Sequence, residues 1–342
     1  MRALRLREPG HFDLIELPEV GPSDLGPEEA LVRVCHVGLC GTDIHAFHGR
    51  QPFFDYPRIL GHELGVEVMA VGEAVTALQP GTRCAVEAYF SGPADRAFAR
   101  GLTNCSVSTK CLGVHVDGGM RDVYILPANK LHPSTLPTRS LALVEPLCIG
   151  HHAVERANLH GDEVGAVIGM GPIGLGVVQF ARLAGVDLTA VDISEQRLAT
   201  ARRLFPGLKT LRVDPDQSLR ELWEATGAED PEVVWDCTGN KASMESAIGL
   251  PANGGKIILV GIYKGTLTFS DPDFHRRELD ILASRNARAV NFRSVINLME
   301  SGLVNADTWI THECEAADFP AKLPAWLAPD SGLLKGVIQF KA

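Results

Sequence analysis

The sequence predicts an α/β chain with a mainly β region at its amino-terminal side and a doubly wound parallel sheet after it. Three observations predict this. Residues 1 to about 145 carry short strand-like runs separated by turns rich in Gly and Pro. From residue 164, strand-length and helix-length apolar runs alternate through roughly residue 285. The tail LLKGVIQFK is strand-like again, so the chain is expected to return to its first region at the end. The domain bounds follow as 1 to 150, 151 to 285, and a return segment 286 to 342.

In the first region the strand candidates are RALRLRE, EALVRVCHV, ELGVEVMAVG and DVYILP. The second region opens on VGAVIGMGPIGLGVVQFA, residues 164 to 181, which carries no charge. Five glycines and a proline interrupt it, which suits a strand turning tightly into a helix better than a membrane span. The strand VGAVI ends at Gly169, and Gly169, Gly171 and Gly174 stand in the spacing G-x-G-x-x-G around Pro172 and Ile173. Such glycines permit a tight turn and let backbone N–H groups approach a pyrophosphate at a helix N-terminus. A glycine-rich turn with no ligand is the plain alternative.

The next strand, DLTAVD, ends in Asp192, 18 residues after Gly174, where an acid receives the adenosine ribose hydroxyls. A carboxylate there repels a 2′-phosphate, so NAD is expected rather than NADP. Arg197 nearby is the residue that argues the other way. Ser194 then caps the helix SEQRLATARRLF, a helix follows near residues 216 to 227, and PEVVWDC, KASMESAIGL and GGKIILVG continue the alternation.

A net charge of −10 argues against nucleic acid or an anionic membrane as a partner. The eight cysteines show no paired C-x-x-C spacing, which suits free thiols in a reducing compartment. With no apolar signal run in MRALRLREPG, a cytoplasmic location is expected.

Three polar motifs stand out in the first region: CGTDIH at 40 to 45, GHE at 61 to 63, and VEPL at 144 to 147. Cys40, His62 and Glu63 offer sulfur, nitrogen and oxygen, a mixture that suits tetrahedral zinc, with Glu145 as a further acid. A lone Cys is also commonly a small buried apolar residue, and a His-Glu pair is often structural. Spacing alone leaves both readings open.

Taken in order, CGTDIH, GHELGVEVMAVG, DGGM, VEPL and GMGPIG resemble the zinc-dependent medium-chain alcohol and polyol dehydrogenases over essentially the whole chain. The resemblance implies a GroES-like catalytic domain, a Rossmann nucleotide-binding domain, and hydride transfer from an alcohol to NAD with zinc as Lewis acid. It implies Cys40, His62 and Glu63 as zinc ligands, and Glu145 as either a ligand or a base for the metal's water. Asp43 would hydrogen-bond a ligand from behind, or simply cap its loop. Thr42 and His45 stand where the wider family relays the alcohol proton to solvent, although a core histidine is an alternative.

QPFFDYPRILGHE and FSDPDFHRRELDILASRNA resemble most closely the branch that oxidises sugar acids at C5, of the L-galactonate and L-gulonate type. The expected substrate is therefore an aldonate or polyol. Arg58 and Arg285 are candidates to hold a carboxylate bidentately, or to form structural ion pairs. A homodimer or homotetramer is implied, with GGKIILVG and IYKGTLTFS as candidate sheet edges. A metal-free quinone-type reductase and a non-catalytic NAD-binding protein are the alternative functions.

The segment EAYFSGPADRAFARGLTNCSVSTKC, residues 87 to 111, departs from the family. Its members usually place four zinc-binding cysteines here, and the matching positions are Gly92, Asp95, Phe98 and Ser106. One catalytic zinc and no structural zinc are therefore expected, with the lobe held by packing of Phe98 and by ion pairs among Asp95, Arg96 and Arg100.

Overall fold

A computed structural model describes residues 1–51, 54–92 and 95–340. Pro52 and Phe53 of QPFFDYPRILGHE, Pro93 and Ala94 of the 87 to 111 segment, and Lys341 and Ala342 lie outside the described residues. The chain divides into two compact units, Met1–Pro146 with Ala287–Ala342, and Leu147–Asn286. Among the described residues no helix is long and apolar enough to cross a membrane.

The unit Leu147–Asn286 is built on six parallel strands, as the alternating pattern predicts. Across the sheet they run Lys209–Arg212, Asp187–Asp192, Val164–Ile168, Val233–Asp236, Lys256–Leu259 and Asp280–Ala283. In chain order this is 3-2-1-4-5-6, the doubly wound arrangement whose order reverses beside the first strand and opens a ligand crevice at the strands' carboxyl ends. Ile168, Val191, Val234 and Ile257 from four of these strands pack with Trp223 and Leu219 into one core.

Two features differ from the sequence reading. Lys209–Arg212 is an additional strand, too short and too polar (KTLR) to show an apolar period, and it forms one edge. The strand within GGKIILVG is not an edge: Lys256–Leu259 lies between two neighbours, with Ile257 and Ile258 buried. The run IYKGTLTFS contributes no strand among the described residues, and the second edge is the half-exposed Asp280–Ala283.

The other unit is mainly β. Seven strands form its large sheet, in which Glu29–Leu39 pairs with Glu63–Val71, Val123–Pro127 and Lys335–Gln339. The tail strand thus lies antiparallel beside Glu29–Leu39, with Gly336 opposite Leu39. Leu4, Val32, Val34, Val66, Phe319 and Trp326 belong to a core that draws on both sequence segments of the unit.

The 87 to 111 lobe is held by hydrogen bonds rather than in the way expected. Phe98 is 39% exposed, and among the described residues no ion pair involves Asp95, Arg96 or Arg100. The arginines stay in water, where surface pairing gains little. Instead the Asp95 carboxylate accepts from the N–H groups of Phe98 (2.8 Å) and Val107 (2.8 Å). Gly92 N–H donates to Ser108 Oγ (2.9 Å), which lies 2.9 Å from Ser106 Oγ.

Candidate active site

Cys40 stands between the strand Glu29–Leu39 and the helix Gly41–Phe47, in extended backbone, as the N-cap residue of that helix. Its N–H donates to Asp43 Oδ2 (3.0 Å), which fixes the cysteine at the first turn. His62 and Glu63 lie where the chain enters the strand Glu63–Val71, and Glu63 stands opposite Gly38 in the register. One ligand atom from each of Cys40, His62 and Glu63 lies within 4.8 Å of the other two.

Buried charges surround these atoms. Lys335 Nζ donates to both Glu63 oxygens (2.8 Å each) and to Leu39 O (3.1 Å), with Lys335 3% and Glu63 1% exposed at the side chain. Burial works against the Lys335 ammonium, but Glu63 and Cys40 hold its pKa above the ordinary value. Gly38 makes room for this pair: a Cβ there would sit 2.1 Å from Glu63 Oε2. Behind the imidazole, His62 Nδ1 is 3.9 Å from Asp43 Oδ1, and Thr42 Oγ1 is 3.3 Å from Nε2. Burial raises the pKa of Asp43, opposed by His62 and by the Cys40 N–H.

Glu145 is not one of the three clustered ligand residues. It sits in the first turn of the helix Val144–Ala157, and its Oε1 accepts from the Tyr89 hydroxyl. Burial raises its pKa, with His62 lowering it and Glu63 raising it further. Cys111, also within reach of these charges, is pushed up to about 12 by burial.

In the other unit, Gly169 adopts φ +93°, and its N–H donates to Val191 O (2.8 Å). A Cβ on Gly174 would meet Gly169 O at 1.7 Å, so the close approach of turn and helix requires glycine there. Gly171 caps the helix Pro172–Leu183, which begins with Pro172 and Ile173, and a Cβ on it would meet nothing within 4 Å. Asp192 accepts from Met170 N–H (2.6 Å) and Ser194 N–H (2.8 Å), and Arg197 Nη1 is 3.9 Å from its Oδ2.

The comparisons with known proteins agree with this layout. Residues 26–138 match the family profile of the alcohol dehydrogenase GroES-like domain, and residues 172–301 that of zinc-binding dehydrogenases. The L-galactonate-5-dehydrogenase of Escherichia coli K12 is 38% identical over 92% of this chain and 93% of its own. A sorbitol dehydrogenase of Halalkalibacterium halodurans is 30% identical over 89% of each chain. The structure of a short chain alcohol dehydrogenase from E. coli CFT073, complexed with NADH, matches with TM-score 0.90 at 25% identity over 99% of both chains. The chain belongs to the zinc-binding alcohol dehydrogenase family.

The donor chemistry of this zinc-binding dehydrogenase fits its metal. A thiol, an imidazole and a carboxylate form a three-residue set of the kind that leaves a fourth tetrahedral position for water or substrate. His62 Nδ1 is buried without a hydrogen-bond partner, 3.9 Å from Asp43 Oδ1, while Nε2 lies 3.3 Å from Thr42 Oγ1. The turn at Gly171 likewise leaves open space where a pyrophosphate would lie.

The remaining candidates are spread out. His45 is exposed, one turn after Thr42 on the same helix. Arg58 Nη1 lies 3.7 Å from Asp117 Oδ1, so a carboxylate of the chain already faces it. Arg285 is exposed and belongs to the unit Leu147–Asn286, whereas Arg58 belongs to the other. Sequence reasoning missed Lys335, Gly38 and Tyr89. Only Lys335 left a signal, as a lone cation inside the apolar run LLKGVIQF.

Proposed function

We propose that the chain is an NAD-dependent dehydrogenase that oxidises a secondary alcohol of a sugar acid of the L-galactonate or L-gulonate type, or of a polyol. One zinc ion would be held by Cys40, His62 and Glu63. The observation that carries this reading is the buried S, N and O cluster within 4.8 Å. The kinship to L-galactonate-5-dehydrogenase and sorbitol dehydrogenase supports the substrate class.

When bound, zinc would act as a Lewis acid that lowers the pKa of the substrate hydroxyl. The chain's own groups do the rest. Lys335 supplies the counter-charge to the buried Glu63 carboxylate. Asp43 holds the Cys40 backbone and faces His62 Nδ1, orienting two of the donors together. Thr42 and His45 would pass the alcohol proton to solvent along one helix face, with His45 at the exposed end. Hydride would pass to the nicotinamide of a nucleotide seated on Gly169, Gly171, Pro172, Ile173 and Gly174. Asp192, held in place by two N–H groups, would disfavour a 2′-phosphate even with Arg197 beside it.

Arg58 or Arg285 would receive the aldonate carboxylate. The protein is read as cytoplasmic and as a homodimer or homotetramer, without nucleic acid or membrane partners. NADH absorbance on zinc-quantified protein, with L-galactonate, L-gulonate, other aldonates and sorbitol, tests the reading. Turnover of an aldonate at about one zinc per chain is expected. Preference for neutral polyols rejects the sugar acid, zinc-free active enzyme rejects the metal site, and two zinc ions per chain reject the vacated lobe.

A further inference from the structure

Glu145 is the acid whose part in the site the motifs leave undecided, and its neighbour decides it. Tyr89 lies in the short strand Tyr89–Phe90, which pairs antiparallel with Lys110–Cys111 so that Tyr89 stands opposite Cys111. Just before it, Ala88 O accepts from Leu112 N–H (3.0 Å), and just after it Gly92 N–H is held by Ser108 Oγ (2.9 Å). Tyr89 is 5% exposed, and its hydroxyl donates to Glu145 Oε1. Cys111, its cross-strand neighbour, turns its thiol to Leu112 O (3.4 Å) and leaves the phenol as the donor seen on Glu145.

We propose that Tyr89 is a positioning residue that holds Glu145 back from the zinc, so that the fourth coordination position stays open for the substrate hydroxyl. The proposal rests on Cys40, His62 and Glu63 being the ligands. A buried carboxylate beside a divalent cation is drawn to it, and four protein ligands make a closed, structural kind of site. Glu145 is near enough to feel the charges of His62 and Glu63, yet lies outside the three-residue cluster. A phenol donates a charge-assisted hydrogen bond to the carboxylate. Because the strand is pinned on both sides, Tyr89 cannot follow Glu145 toward a metal. The lobe that has no cysteines at 92, 95, 98 and 106 thereby acts on the catalytic site through one hydroxyl.

The test is a mutant cycle on zinc-loaded enzyme, read by the rate of zinc transfer to a chromogenic chelator and by the visible spectrum of the cobalt-substituted protein. Tyr89→Phe keeps the ring and frees Glu145, so zinc release should slow about tenfold and the cobalt spectrum should change, as Glu145 joins the metal. In the Glu145→Gln background the same substitution should change neither. Glu145→Gln alone should release zinc at the wild-type rate. If Glu145→Gln loses zinc tenfold or more faster, Glu145 is already a ligand and the proposal fails. It also fails if Tyr89→Phe leaves release and spectrum unchanged, or alters them equally without Glu145. None of these readouts uses a substrate, so a wrong substrate class leaves them intact, while a protein that retains no zinc rejects the ligand assignment itself.

Discussion

Within one unit, two polar regions stand in contrast. Cys40, His62 and Glu63 bring three unlike donor atoms within 4.8 Å and bury a cation, Lys335, against one of them. Gly92, Asp95 and Ser106 instead join a net of hydrogen bonds, while Phe98, the fourth position, is 39% exposed and takes part through its backbone. A charged cluster in a dry place needs counter-charges on all sides, and removing one leaves another uncompensated. A hydrogen-bonded surface loop can lose its members one at a time. The first region is therefore tied to residues far apart in sequence, and the second is almost wholly local.

The largest expected effect comes from removing the counter-charge. Lys335→Met leaves the Glu63 carboxylate buried without its partner and should destabilise the metal-free protein by about 3 to 5 kcal/mol. Bound zinc replaces the lost positive charge, so the deficit should shrink in the loaded protein. Thermal unfolding with and without zinc measures both. An equal loss in the two states would mean that Lys335 serves packing rather than charge.

A smaller effect is expected at the root of the lobe. Glu87 is 3% exposed, with Lys130 Nζ at 2.5 Å and His132 Nε2 at 3.2 Å. Burial opposes its ionisation, but His132 and Lys130 outweigh that and hold its pKa below the ordinary 4.5. A depressed folded pKa means stability that is present above the unfolded value and lost as pH falls through the folded one. Glu87→Gln should therefore cost about 2 kcal/mol at neutral pH, and the gap should close as the wild type is acidified below about 4.5. Urea unfolding at a series of pH values would show it. A gap that does not change with pH would place the loss in shape, not in charge.

The same contrast explains what the sequence made legible. GMGPIG could be read because a tight βα turn demands glycine at fixed offsets, and the strand VGAVI before it is apolar throughout. CGTDIH and GHE name side chains that the fold brings together, since the first follows the apolar strand Glu29–Leu39 and the second opens the apolar strand Glu63–Val71. Lys335 could not be placed, because it lies 272 positions from Glu63 and meets it only where their two strands flank Glu29–Leu39. The edge strands KTLR and DILA were hidden for a different reason. A half-exposed edge strand needs no run of buried apolar residues, whereas KIIL, taken for an edge, has them because it is interior. Asp95 was read as one half of an ion pair, since its type shows a charge but not that two backbone N–H groups would claim it.

Asp95 also provides the finest test of how separate the two regions are. Its carboxylate accepts from Phe98 and Val107 N–H groups, which hold its pKa below the ordinary value and clamp the helix Arg96–Ala99 to the chain after it. Asp95→Ala should leave the fold intact and speed hydrogen exchange at the Phe98 and Val107 amides by roughly fivefold, as loss of an exposed cap does. Zinc release from the Cys40 cluster should be unchanged if the lobe's hydrogen bonds act only locally. Val107 and Ser108 are adjacent, however, and Ser108 holds Gly92 close to the strand that carries Tyr89. A loosened Asp95 clamp that also slowed zinc release, and did so only while Glu145 was present, would show that motion of the vacated lobe reaches the metal site along the path through Tyr89.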